Sequence, residues 1–174
     1  MDDNQSGSDV YLTHFTPEDL EEVTTCINIA YSETMAIFRN VHIRRTSKKQ
    51  LEEVLQKENA EIWGYRTKMG EVVAVVIICD TDEVSGTIEM LSVLPEYMGL
   101  GLSSALIRHS EYILHKAKKR VMKMKVFIPR STELQSFVEL GYSILRTEPW
   151  REMEDVLKPA AYEAWDMLTV GKSI

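Results

Sequence analysis

Apolar residues recur along this chain in two rhythms, a period of two that marks strands and spacings of three and four that mark helices. Val10 to Phe15 reads as a strand. Thr16-Pro17-Glu18-Asp19 is a helix start, with Thr16 as N-cap, Pro17 at the first position and Asp19 as the reciprocal acid; Leu20, Val23, Ile27 and Ala30 follow on one face. Tyr31 to Val41 continues with Met35, Ile37 and Phe38, and Thr46-Ser47 caps a helix through Leu51, Val54 and Leu55. Ala60 to Thr67, a Met69-Gly70 turn and the Val/Ile run Val72 to Cys79 predict a hairpin whose second strand is buried on both faces. Asp80 to Gly86 turns into a strand, Ile88 to Leu94, then a helix with Leu102, Ala105, Leu106, His109 or Ile113, and Ala117 on its apolar side. Val121 to Ile128 is the next strand, broken by Pro129. Ser131-Thr132-Glu133 opens a helix with Leu134, Phe137, Val138 and Leu140, closed by Gly141. Strands at Tyr142 to Arg146 and Ala161 to Val170 flank an irregular stretch, Thr147 to Pro159.

Between the strand Ile88 to Leu94 and the following helix stand Pro95 and the run Met98-Gly99-Leu100-Gly101-Leu102-Ser103-Ser104. Proline ends the sheet ladder, and glycine lets the backbone approach a ligand. The unpaired N–H groups of a first helical turn form an anion site. The Gly-x-Gly fits neither a dinucleotide fingerprint nor a Walker phosphate loop, so on spacing alone a plain strand-to-helix turn is an equal reading.

The longer run Glu89-Met90-Leu91-Ser92-Val93-Leu94-Pro95-Glu96-Tyr97-Met98-Gly99-Leu100-Gly101-Leu102-Ser103 resembles the acyl-CoA-binding motif of the GCN5-related N-acetyltransferase (GNAT) superfamily. Val93, Pro95 and Gly101 match it, Ser103 stands for its final Gly/Ala, and Met98 replaces its Arg or Gln. The resemblance implies an α/β fold: a mixed, strongly twisted six- to seven-stranded sheet flanked by about four helices. It implies acetyl-CoA as co-substrate, held by Leu91, Ser92, Val93, Gly99, Leu100, Gly101, Leu102, Ser103 and Ser104, and N-acetyl transfer to a primary amine by direct attack. Glu89, inside an apolar strand, is the candidate general base because burial raises a carboxyl pKa. Tyr31, Glu33, Phe38, Trp150 and Trp165 are candidates for the acceptor wall, as are Met35, Arg39 and Tyr162. Arg130 and Phe137 depart from the family pattern, and Phe137 has no proton for a leaving thiolate. A module that binds acyl-CoA without catalysis is the alternative these departures favour.

The length of 174 residues and 44% hydrophobic content suit one domain, here 10–174, behind a Ser/Gly/Asp tail at 1–9 expected to be disordered. The net charge of −7 argues against general nucleic-acid binding and mildly favours a cationic acceptor, a small amine or a peptide. The N-terminus lacks a signal-peptide pattern and there is no membrane-length apolar run, so a cytosolic or nuclear protein without a membrane partner is expected. Cys26 and Cys79 read as reduced core thiols, and His14, His42, His109 and His115 lack metal-ligand spacing, so no metal is expected. The resemblance admits a homodimer.

Overall fold

The computed structural model describes residues 9–36, 43–129, 135–148, 158 and 165–174. Residues 1–8 of the expected tail at 1–9, the helix start at 131–134 and most of the stretch from Thr147 to Ala164 lie outside them. Seven strands form one mixed sheet in the order β1-β2-β3-β4-β5-β7-β6. They are β1 (Val10–Phe15), β2 (Ala60–Thr67), β3 (Val72–Asp80), β4 (Ser85–Val93), β5 (Val121–Pro129), β6 (Ser143–Glu148) and β7 (Trp165–Ser173). The helices are α1 (Leu20–Ala30), α2 (Ser32–Met35), α3 (Lys48–Leu55), α4 (Leu102–Lys116) and α5 (Gln135–Glu139).

Caps form where the sequence predicts them. The Thr16 N–H donates to Asp19 Oδ2 at 2.8 Å, and the Ser47 N–H donates to Gln50 Oε1 at 2.9 Å. Pro17–Asp19 is a 3₁₀ turn, and the α-helix proper begins only at Leu20. Asp19 then receives Arg66 from β2 at 2.5 Å, tying this turn to the sheet.

The core centres on β3, whose residues Val72 to Ile78 are all buried. Such a strand needs cover on both sides. Helix α1 packs on one face through Leu20, Val23, Cys26 and Ile27, and α4 on the other through Leu102, Leu106, Ile107, Ser110 and Leu114. Each fully buried Val, Ile or Leu contributes about 1.5–3 kcal/mol, so β3 and its two helices form the rigid centre of the domain.

The buried stripe of α4 departs from the expected one. Ile107, Ser110 and Leu114 are buried, whereas Ala117 is exposed beyond the helix end. Ser110 enters the core because its hydroxyl donates to the Leu106 carbonyl at 2.8 Å, which removes its need for water. Lys119 is buried and donates to Asp80 Oδ1 and to the Asp82 carbonyl, each at 2.6 Å, anchoring the end of α4 to the β3–β4 turn.

Candidate functional site

The site begins with a fault in β4. Its ladder with β3 runs Ile77↔Glu89, then Val75↔Ser92, so Met90 and Leu91 oppose the single residue Val76. Met90 takes φ +51°, a left-handed conformation that a long side chain adopts only at a cost. Side chains hold the bulge in place: the Ser92 hydroxyl donates to the Met90 carbonyl at 2.7 Å, and the Tyr31 hydroxyl donates to the Leu91 carbonyl at 3.2 Å.

On the other edge of β4, parallel pairing with β5 covers only Ser85–Ile88 against Val121–Met124. Past that point the strands part. The Leu94 N–H is spent on the Val73 carbonyl at 2.9 Å, so by the alternation of strand N–H groups that of Val93 points into the gap. The gap is the mouth of a cavity of about 770 Å³. Its floor is Thr87 to Val93 of β4, Lys123 to Phe127 of β5, and Met167 and Thr169 of β7. One wall is Tyr31, Thr34, Met35 and Ile43 to Arg45; Met98 and Phe137 close the far side.

The two faces of this floor differ. Gly86 carries Leu114 of α4 against its backbone, with room for no Cβ, so Gly86 and its partner Met122 face α4, as do Ile88 and Met124 in phase with them. Thr87, Glu89, Lys123 and Lys125 therefore point to the α1 side. There Arg45 lies 5.2 Å from the centre of the Tyr31 ring. Burial pushes the Tyr31 hydroxyl up from its ordinary pKa, and Arg45 partly opposes this.

Beyond Met98 the chain makes the expected turn. Gly99 and Gly101 both have positive φ, +79° and +78°, and a Cβ at either would meet open space. Gly101 is the N-cap of α4, and Ala105 is the first residue whose N–H finds a helical acceptor, the Gly101 carbonyl at 3.0 Å. The amides of Leu102, Ser103 and Ser104 are thus the open end of the helix.

The structure sorts the predicted site residues. Leu91, Ser92 and Val93 line the cavity; Gly99 to Ser104 form the outer turn next to it. Leu102 turns its side chain into the core and Leu100 is exposed, so either can offer a ligand little beyond its backbone. Glu89 requires a correction. It is exposed instead of buried, because β4 has lost its β5 neighbour at that position, although it does line the cavity. Tyr31 and Met35 are on the wall, whereas Glu33 lies on the exposed side of α2 away from it. Phe38, Arg39, Trp150 and Tyr162 lie outside the described residues, and Trp165 is placed only as a backbone partner of Pro129.

Sequence reasoning overlooked Arg44, Arg45, Lys123 and Lys125 as cavity residues. The alternation Val121-Met122-Lys123-Met124-Lys125 already put both lysines on one face of a strand. Burial raises the thiols of Cys26 and Cys79 to about 12 and about 11, which keeps both protonated near neutrality and unsuited to nucleophilic work. Among the described residues no cluster of three or more His, Cys, Asp or Glu is placed to hold a metal ion, and no helix is long and apolar enough to cross a membrane.

A family profile described as "Acetyltransferase (GNAT) family" matches residues 27–142. No curated protein matches the sequence. Among solved structures the chain is similar to an acetyltransferase of the GNAT family from Streptococcus pneumoniae (TM-score 0.71, 16% identity, covering 95% of this chain and 100% of that one). It is similar as well to the ribosomal-protein-S18-alanine N-acetyltransferase from Escherichia coli (0.70, 16%, 95% and 94%). A third is the IAA acetyltransferase from Bacillus cereus (0.66, 12%, 95% and 100%).

Proposed function

Since this chain belongs to the GNAT acetyltransferase family, we propose that it moves the acetyl group of acetyl-CoA to a primary amine by direct attack. One observation carries this reading: the bulged, splayed end of β4 opens a cavity directly in front of the glycine turn and the free amides of α4. The residues fit such a donor. A cavity of about 770 Å³ suits a narrow thioester arm together with an acceptor, and the outer turn offers N–H groups of Gly99 to Ser104 to a pyrophosphate. Met98 contributes no charge there, so the backbone supplies the binding.

When bound, acetyl-CoA supplies a thioester whose carbonyl carbon accepts the amine nitrogen as the carbon–sulfur bond breaks. The Val93 N–H, aimed into the gap, polarises that carbonyl. Glu89, on the α1 side of the floor, takes a proton from the ammonium directly or through water. The Tyr31 hydroxyl, beside Leu91, gives its proton to the departing sulfur and is reprotonated by the second proton that the nitrogen loses as the amide forms, a role Phe137 cannot fill.

Calorimetric titration with acetyl-CoA tests the first half, and thiol release with a panel of amines tests the second. Micromolar binding followed by amine-dependent thiol release is the expected result. Binding with no transfer to any amine would leave a catalytically silent acyl-CoA module. No binding would remove the reading altogether.

A further inference from the structure

Building on that transfer reading, we propose that the acceptor is a small zwitterion, an amine bearing its own carboxylate, of the α-amino-acid type with an apolar side chain. The chain as a whole carries −7, yet among the described residues the charged side chains lining the cavity are Arg44, Arg45, Lys123 and Lys125 against the carboxylate of Glu89. This local excess is opposite in sign to the rest of the molecule.

The position of these cations separates them from the donor. Lys123 and Lys125 point to the α1 side of the sheet, and Arg44 and Arg45 lead into α3 on that same side. The glycine turn and open amides suited to a pyrophosphate belong to α4, which covers the opposite face. A donor seated on α4 leaves the α1-side cations to the other substrate.

They are also without ion-pair partners among the described residues. None of the ion pairs among the described residues involves Arg44, Arg45, Lys123 or Lys125. Lys123 does sense the carboxylate of Asp82 at the start of β4, and Arg45 rests on the Tyr31 ring. Arg44 and Lys125 have neither. Arg44 and Lys125 are exposed at the rim and Arg45 and Lys123 are half-buried below them, so the rim pair is open to an incoming anion, and a carboxylate is the planar anion an arginine holds best. Met35, Ile43 and Met167 offer an apolar wall for a hydrocarbon side chain, and among the described lining residues Glu89 is the group suited to the ammonium. Anion, cation and apolar part are the three features of an apolar amino acid.

The experiment measures thiol release from acetyl-CoA with L-leucine, L-methionine and L-phenylalanine, each beside its amide and its decarboxylated amine. We expect kcat/KM for at least one amino acid to exceed that of its amide and its amine by about tenfold or more, the worth of one charge-assisted contact. Arg44→Glu and Lys125→Glu should erase that margin through KM, while the calorimetric affinity for acetyl-CoA holds. Amides or amines that react as well as the amino acids would overturn the proposal. So would a protein that binds acetyl-CoA yet acetylates none of the three amino acids. Loss of acetyl-CoA affinity in the Glu variants, with the acceptor margin intact, would assign the cations to the donor's phosphates and overturn it as well. Failure of the transfer reading itself looks different, with neither heat on titration nor thiol release from any compound, and would remove this proposal too.

Discussion

Tyr31 and Glu89 meet at the bulge from different elements, and their expected contributions separate in kinetics. The Glu89 side chain forms no hydrogen bond or ion pair among the described residues, and it is exposed, so Glu89→Gln should leave stability within about 0.5 kcal/mol. As the base it should lower kcat by about 10²-fold or more, with acetyl-CoA affinity unchanged by calorimetry. A kcat within a factor of about two would pass the role to bulk water. Tyr31→Phe removes the hydroxyl from the Leu91 carbonyl, which should cost about 1 kcal/mol in urea unfolding. It should also slow transfer, and Phe137→Tyr in that background should restore part of the rate if what was lost is a proton donor. Tyr31 was legible in the sequence as a candidate for the acceptor wall, whereas its hydrogen bond to the bulged strand was not. The Glu89 environment was not legible, since flanking apolar residues signal burial only while a strand has neighbours on both edges. Where a parallel pairing stops is a property of two segments more than thirty positions apart, and neither announces it locally.

Helix α4 carries the most readable part of the chain. Pro95, the positive-φ glycines and the start at Leu102 all follow from local backbone chemistry, which is why spacing alone located them. Its buried face was less readable, because Ser110 satisfies its hydroxyl within the helix and so behaves as a core residue. Two substitutions test the two ends of the helix. Ser103→Glu places a carboxylate in the first turn, where the helix dipole favours it by about 0.3–1 kcal/mol. Thermal stability should hold or rise while acetyl-CoA affinity falls by about tenfold or more through repulsion of the pyrophosphate. This is a cleaner probe than replacing Gly101, whose φ of +78° strains any other residue. Unchanged affinity would mean that no phosphate sits at the turn. At the other end, a Cβ on Gly86 would stand 2.2 Å from Leu114 Cδ2. Gly86→Ala should therefore destabilise by about 1–3 kcal/mol, and the Gly86→Ala, Leu114→Ala double variant should lose clearly less than the sum of the single changes.

The sheet order β1-β2-β3-β4-β5-β7-β6 puts the last strand inside the sheet, between β5 and β6. Apolar runs and alternating patterns predicted a strand near each of the seven, yet strand order depends on which edges find partners, so the insertion of β7 between β5 and β6 came from the fold alone. The same long-range pairing assembles a second feature far from the cavity. β1 and β2 align His14 with Trp63, stacked at 4.6 Å between ring centres, and α4 brings His109 to the same indole at 4.4 Å. His109 Nε2 is enclosed without a hydrogen-bond partner among the described residues. Burial depresses the His109 pKa from its ordinary value, His14 adds to that, and Glu61, held by the Trp63 indole N–H at 2.7 Å, partly offsets it. With the folded value below the unfolded one, the unfolded chain binds the extra proton first as pH falls. Stability is then full above about pH 6.5 and declines as pH drops through that value toward the folded pKa. Urea midpoints at pH 7.5 and 5.5 should differ in that direction, by only part of one proton's ~1.4 kcal/mol per pH unit because solvent reaches the ring. His109→Phe keeps the edge contact with Trp63 and has no proton to gain, so it should flatten the difference. An equal pH effect in that variant would place the acid sensitivity elsewhere, with the carboxylate of Asp19, held low by the Thr16 N–H and hydroxyl and by Arg66 against the opposing effect of burial, the next group to examine at lower pH.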